Sequence, residues 1–178
     1  MNVLNGGVHA DNDLDIQEFM LVPYGPDSLK EQLRMGTEIY HVLRGLLKQK
    51  GLTTAVGDEG GFAPELRDSR EAIEFLLAAS GQAGYEPGKD VGIALDVASS
   101  ELYREKEKRY YFPGESRGKG KKIARTSDDM MEYYENLIRD YPIYSIEDPL
   151  DEEDWNGWSR LTMKIGEKVQ LVGDDLFV

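Results

Sequence analysis

Four stretches of the chain repeat apolar residues at helical spacing, with polar residues between them. In the longest, 28–50, Ser28 and Glu31 have the spacing of a capping box, and Gly51 is a stop signal. Its stripe consists of Leu29, Leu33, Gly36, Tyr40, Leu43 and Leu47. Shorter amphipathic helices are predicted at 69–80, 127–141 and 152–165.

Short apolar runs lie between these helices and predict strands. The runs are continuous rather than alternating, which is typical of strands buried on both faces of a parallel sheet. They are VGIALD (91–96), IYSIED (143–148) and VQLVGDD (169–175). Because helices separate them, the order is strand, helix, strand, helix, strand, which indicates an α/β fold.

Two further strands are predicted near the start, MNVLN (1–5) and IQEFMLVP (16–23). The link between them is too short for a crossover helix, so we expect this pair to be antiparallel. Five core strands are therefore predicted. The segment 102–125 does not continue the alternation of strands and helices. Its pattern indicates an exposed hairpin followed by a basic, glycine-bearing loop.

Composition narrows the class of protein. The 178 residues are 40% hydrophobic, which suits one domain with a sizeable core. With 34 acidic and 21 basic residues the net charge is -13, so we do not expect nucleic acid as a main partner. The chain has no cysteine and no apolar run of the roughly 20 residues that a membrane span requires. We expect a cytoplasmic protein without a membrane span.

Each of the three continuous strands ends in an acid: Asp96, Glu147 or Asp174. The carboxyl ends of parallel strands meet on one face, so we expect these side chains to converge. Oxygen ligands on separate rigid strands suit a hard cation such as Mg²⁺. The alternative, that each acid only caps the following helix, stays open for any single one. Three acids in equivalent positions favour the metal site.

A glycine-rich stretch, TAVGDEGGFAPEL (54–66), carries Asp58 and Glu59. Glycines let the backbone approach a ligand closely and move as a lid, so a carboxyl here is a candidate general acid. An ordinary turn is the alternative, because Gly and Asp are common turn residues.

A third concentration of polar residues is NGGVHADNDLDIQEF (5–19), with His9, Gln17 and Glu18. Glu18 interrupts an apolar strand. A carboxylate buried there needs a hydrogen-bonding or charged partner or has a functional role, unless it lies on the solvent face of an edge strand. The other histidine, His41, lies in a predicted helix and is expected to be structural or exposed. An acidic face with so few bases requires divalent cations before an anionic substrate can bind. Metal and acid together suit chemistry through an enolate-like intermediate.

These stretches resemble the enolase family, in particular its bacterial form. The match runs in order through NVLNGGVHA, IQEFM, TAVGDEGGFAP, IALDVASSE, SIEDPLDEEDWNGW and LVGDDLFV. The resemblance implies a TIM-like barrel whose first two strands are antiparallel and are followed by βα units, with about five of eight strands present. It also implies Mg²⁺-dependent dehydration of 2-phosphoglycerate to phosphoenolpyruvate, a reversible lyase step of glycolysis.

The resemblance also implies roles for single residues. The Mg²⁺ ligands fall on Asp96, Glu147 and Asp174, and Asp58, Asp148 and Asp175 become structural neighbours. The proton donor to the departing hydroxyl falls on Glu59, working with Glu18. The implied substrate-binding residues are His9, Gln17, Glu18, Glu147 and Asp174.

The main difference from the family lies in how much of an enolase these residues are expected to cover. We expect residues 1–178 to be an incomplete C-terminal barrel domain, without the N-terminal α+β domain and without the last barrel strands that carry the base lysine. The isolated chain is therefore expected to be inactive unless a complementing enolase segment or a second copy joins it, and a homo-oligomer is expected. Three alternatives stay open: another enolase-superfamily enzyme, a non-catalytic binding or scaffold protein, and a self-associating fragment. As for other bacterial enolases, presence at the cell surface or outside the cell is a further expectation.

Overall fold

The structure is a computed structural model that describes all of residues 1–178. Its strands are β1 (Asn2–Asn5), β2 (Glu18–Pro23), β3 (Val91–Asp96), β4 (Tyr103–Arg104), β5 (Arg109–Tyr111), β6 (Ala124–Arg125), β7 (Ile143–Glu147) and β8 (Gln170–Val172). Its helices are α1 (Leu29–Gln49), α2 (Ser69–Gln82), α3 (Ser99–Leu102), α4 (Pro113–Lys119), α5 (Ser127–Asp140) and α6 (Trp155–Ile165).

Five strands form one mixed sheet in the order β1-β2-β3-β7-β8. The pairs β1–β2 and β2–β3 are antiparallel, whereas β3–β7 and β7–β8 are parallel. The antiparallel start predicted from the short connection is therefore confirmed. The sheet is open, with β1 and β8 at its edges. The fold is α/β with a mixed sheet and six helices, and no closed barrel is present.

The helices bury apolar stripes in a core of 34 residues that is shared with the strands. In α1 the buried positions begin at Met35 and continue through Leu47. The predicted stripe is wrong at its start, because Leu29 and Leu33 are 69% and 56% exposed. The first two turns of α1 extend past the part of the helix that the core covers.

Side-chain caps set where the helices begin. The Ser28 hydroxyl accepts a hydrogen bond from the Glu31 amide at 3.3 Å, but the Glu31 carboxylate binds Arg34 instead of closing the predicted box. At the fourth long helix, the Asp154 carboxylate accepts from the Gly157 amide at 2.9 Å. This cap explains why α6 begins three residues later than the pattern predicted.

The segment 102–125 differs from its prediction. Strands β4, β5 and β6 form a small antiparallel sheet, and helix α4 lies where a loop was expected. Tyr110 and Phe112 are fully buried, so the hairpin packs into the core and is not exposed as predicted. Helix α4 begins at Pro113, a residue suited to the first helical turn, and ends at Gly120, which has a φ of 62°.

Helix α4 is held by a carboxylate from far upstream. Asp15, itself 5% exposed, accepts hydrogen bonds from the amides of Gly114 and Glu115 at 2.7 and 2.8 Å. These amides are among the donors that a helix leaves unpaired at its start, so the contact stabilises α4. The contact also fixes the loop before β2 against the start of α4.

None of the six helices has the length and apolar character that a membrane-spanning helix needs.

Candidate metal and active site

The strand register lines up one row of polar residues at one end of the main sheet. Asn5 pairs with Glu18, Glu18 with Asp96, and Asp96 with Glu147. Because β2 runs opposite to its neighbours, its first residue lies beside the last residues of β1 and β3, and the last residue of β7 lies next in the row. The row therefore places three carboxylates from three adjacent strands side by side.

Asp96 is the best-fixed carboxylate of the row. It is 8% exposed, and each of its oxygens accepts one hydrogen bond: Oδ1 from the Ala98 amide at 3.0 Å and Oδ2 from Gln17 Nε2 at 3.1 Å. Both oxygens keep further lone pairs for a ligand. Gln17, predicted as a substrate-binding residue, thus orients Asp96.

Asp148 directly follows β7 and has a φ of 40°, which turns its side chain back towards the site. Its carboxylate accepts hydrogen bonds from the amides of Asp174 at 3.1 Å and Asp175 at 2.9 Å. Ligand atoms of Asp96, Glu147 and Asp148 all lie within 4.8 Å of one another. Asp174 is outside that tight group, although it lines one acidic cavity together with Asp96 and Glu147. Asp148 is 3% exposed and does not line the cavity, so it lies behind the cluster and holds the backbone of Asp174 and Asp175.

The carboxylates of this cluster repel one another, and burial adds to the cost of charging them. Burial raises the pKa of Asp96 to about 6, and Glu18 and Asp148 add to the rise. The pKa of Glu147 is raised to about 7, first by burial and then by Asp96, Asp148 and Asp174. No lysine or arginine lines the cavity to balance these charges. Several carboxylate oxygens without a basic partner form the donor set that a hard divalent cation prefers.

A second group of possible ligands shares Glu18 with the carboxylate row. His9, Glu18 and Glu59 bring ligand atoms within 4.8 Å of one another, and His9 Nδ1 lies 3.5 Å from Glu18 Oε1. Burial raises the pKa of Glu18, Glu59 adds to the rise, and His9 opposes it. The protonated form of Glu18 is therefore favoured relative to that of a free glutamate.

Close packing holds the glycine-rich loop that carries Glu59. A Cβ at Gly57 would lie 2.6 Å from the His9 carbonyl, and one at Gly61 would lie 2.5 Å from Asn5 Oδ1. Tyr40 of α1 donates a hydrogen bond to the Gly60 carbonyl at 3.2 Å. Glu59 itself is exposed at the cavity mouth, whereas Asp58 does not line the cavity.

The cavity has a volume of about 430 Å³ and is lined by all seven residues singled out from the sequence. These are His9, Gln17, Glu18, Glu59, Asp96, Glu147 and Asp174. His41 is exposed on α1 and takes no part. Sequence reasoning missed Glu101, which also lines the cavity from the short helix α3. The only signal for it was its place in the stretch IALDVASSE.

The comparison with known families agrees with this architecture. The family model described as enolase, C-terminal TIM barrel domain, matches residues 1–178. The match covers the whole sequence, including every strand end and loop that lines the acidic cavity. The chain therefore belongs to the enolase family, within its C-terminal TIM barrel domain.

Proposed function

We propose that the acidic cavity binds Mg²⁺ and serves the reversible dehydration of 2-phosphoglycerate to phosphoenolpyruvate, the lyase step of glycolysis known as phosphopyruvate hydratase. One observation carries the proposal: a row of carboxylates from adjacent strands and the separate carboxyl group of Glu59 line one cavity, and no lysine or arginine lines it. Family membership supports an enzyme of this general kind.

Asp96, Glu147 and Asp174 are the proposed Mg²⁺ ligands, with Asp148 fixing the backbone that carries Asp174. When bound, Mg²⁺ would offset the carboxylate charges, attract the substrate carboxylate and stabilise negative charge that develops on it. Gln17 keeps one oxygen of Asp96 oriented through its amide. Glu147 and Asp174 border the space that the substrate carboxylate would enter.

Glu59 is the proposed proton donor to the departing hydroxyl, and Glu18 supports it. Burial raises the pKa of Glu18, so Glu18 holds a proton more readily than a free glutamate does, beside the proposed donor. His9 lies beside Glu18 and is proposed to contact the substrate phosphate. The glycine-rich loop lets Glu59 reach the leaving group from outside the sheet.

The reaction also needs a base that removes the proton next to the substrate carboxylate, and no lysine lines the cavity. We infer that this base is supplied by residues other than 1–178, so a polypeptide of these residues alone should not turn the substrate over. Self-association through the free edges of β1 and β8 stays a prediction, which sedimentation would test. A cytoplasmic location is proposed with the glycolytic role.

Binding of 2-phosphoglycerate tests the proposal directly. Calorimetry with the purified chain should detect binding in the presence of Mg²⁺ and none in EDTA, because the acidic cavity repels the substrate without the cation. The chain alone should form no phosphoenolpyruvate at saturating Mg²⁺. Binding that is indifferent to Mg²⁺ would rule out the proposed site, and turnover at rates of a complete enolase would contradict the missing base.

The affinity for Mg²⁺ should depend on pH. Asp96 and Glu147, with pKa values of about 6 and about 7, must lose their protons before they can bind the cation. The affinity should therefore rise from pH 5 to pH 8 by at least about tenfold and level off above, since each pKa unit corresponds to about a tenfold change. Calorimetric titration with MgCl₂ across this range measures the change, and a flat profile would contradict the assignment.

A further inference from the structure

Basic residues are concentrated in one segment of this acidic chain. Residues 102–125 contain nine of the 21 lysines and arginines but only three of the 34 acids. The segment therefore has a formal charge of +6, whereas the chain has -13. Its folding brings four of these bases around one cavity of about 600 Å³. The four bases are Arg104, Arg117, Lys121 and Lys122.

Two of these four bases lack an acidic partner. Arg104 uses Nη1 only for the backbone carbonyls of Glu101 and Tyr103, both at 3.0 Å. Lys121 forms no side-chain hydrogen bond or ion pair, and it is exposed. A guanidinium fork and an ammonium group thus remain available to a ligand at this cavity.

The other two bases are paired at the surface. Lys122 Nζ lies 2.6 Å from the Glu107 carboxylate and 5.6 Å from the centre of the Tyr111 ring. Arg117 binds the Asp13 carboxylate through Nε at 2.6 Å. Glu107 is the only acid among the lining residues, so the cavity keeps a positive balance.

A third cavity adjoins both the basic cavity and the acidic one. A middle cavity of about 350 Å³ shares Arg104 and Arg117 with the basic cavity. It shares four further residues with the acidic cavity: Val8, Gln17, Ala98 and Glu101. The basic and acidic cavities, which carry opposite charge, therefore lie on either side of this middle cavity.

We propose that the basic cavity is a binding site for small phosphate-bearing anions, separate from the metal site. The Arg104 fork suits bidentate contact with phosphate oxygens, and Lys121 adds a second positive charge without a competing carboxylate. An extended nucleic acid is disfavoured, because the rest of the chain is strongly acidic and would repel its backbone. Binding here needs no Mg²⁺, so the inference does not rest on the proposed dehydration.

The probe is inorganic pyrophosphate, titrated into the whole chain in EDTA at low ionic strength and followed by calorimetry and by amide NMR shifts. We expect saturable binding, with shifts centred on residues 104–122. Arg104→Gln with Lys121→Gln should weaken binding at least about tenfold, which is the loss expected for two charge-assisted contacts. Arg104→Lys should retain part of the affinity.

The matched control is Lys30→Gln with Lys168→Gln, which removes the same charge from exposed lysines that line neither cavity. Its affinity should stay within about twofold of the unchanged chain, because long-range charge alone is screened. Equal losses in both double variants, or no loss in the first, would overturn the site. If the first double variant does not fold, Lys121→Gln alone makes the same comparison.

Two further measurements distinguish this small-anion site from the metal cluster and from an RNA-binding surface. Glu147→Gln changes the metal cluster and should leave pyrophosphate binding intact. A loss of Mg²⁺ binding can therefore be told apart from a loss of anion binding at the basic cavity. A single-stranded RNA oligonucleotide should bind more weakly than pyrophosphate at equal salt. Tighter binding of the RNA at residues 104–122 would overturn the assignment to a small anion.

Discussion

Replacing Asp96 by asparagine is expected to lower the affinity for Mg²⁺ at least about 100-fold, because even residues that only orient metal ligands contribute about 10–100-fold. Asp96 lies at the centre of the carboxylate row and is nearly buried. Asparagine has nearly the same shape and can still accept the hydrogen bond from the Ala98 amide. The loss would therefore report the missing charge rather than a changed fold.

The same substitution should make the metal-free chain more stable at pH 7, by about 1–3 kcal/mol in the free energy of unfolding. The pKa of Asp96 is about 6 in the folded chain against an ordinary value of 3.8, so folding favours its protonated form. Stability of the unchanged chain must then fall as the pH rises through this window, and asparagine removes that cost. Below about pH 4 the difference should vanish, because both states bind the proton.

Denaturant unfolding in EDTA, paired with calorimetric Mg²⁺ titration, measures both effects. Glu132→Gln is the matched control, because Glu132 is exposed on α5 and loses one charge in the same way. It should change neither the affinity for Mg²⁺ nor the stability by more than about 0.5 kcal/mol. An Asp96→Asn chain that binds Mg²⁺ normally would exclude Asp96 as a ligand.

Gly114→Ala should destabilise the chain by about 3 kcal/mol, at the upper end of the cost of overpacking. An added Cβ would collide with the Asp13 carbonyl oxygen, so one backbone must move away from the other. Movement there would also lengthen the hydrogen bonds that Asp15 accepts from the start of α4. Thermal and denaturant unfolding of the metal-free chain give the change in free energy.

Gly118→Ala is the control on the same helix, where the nearest atom to an added Cβ is the Arg67 carbonyl at 3.7 Å. That contact is ordinary, and alanine favours a helix over glycine by about 0.5–1 kcal/mol, so this variant should be neutral or slightly stabilising. Equal destabilisation of both variants would contradict the close approach at Gly114. A Gly114→Ala chain of normal stability would do so as well.

Much of the main sheet could be predicted from the hydrophobic pattern. Strand β3 has the predicted bounds, because every one of its six positions is buried and apolar side chains dominate the run. Strand β8 is shorter than predicted because the chain leaves the ladder after Val172, and Asp174 lines the cavity instead. Helix α4 could not be predicted, since its supports come from distant residues. These are Asp15 upstream and the Glu115–Arg125 ion pair at 2.9 Å across the small sheet.

Some residues of the candidate site could be predicted from the sequence, and others could not. Acids at strand ends could be predicted, because a continuous apolar run that stops at a carboxylate marks both the strand and its end. The position of Asp148 could not, since it depends on a positive φ and on amides 26 residues further along the chain. The buried role of Asp15 was missed for a similar reason: its partners lie 99 and 100 residues away.

The long spans that hold the site have a consequence for folding kinetics. The contact between Gln17 and Asp96 closes 79 residues, and Asp148 then fixes the amide of Asp174, near the last residue of the chain. Contacts between residues far apart in the sequence form late in folding, because the entropy of the intervening chain must be lost first. A cation that needs all of these strands can bind only after they have paired, so it should slow unfolding and leave the folding rate nearly unchanged.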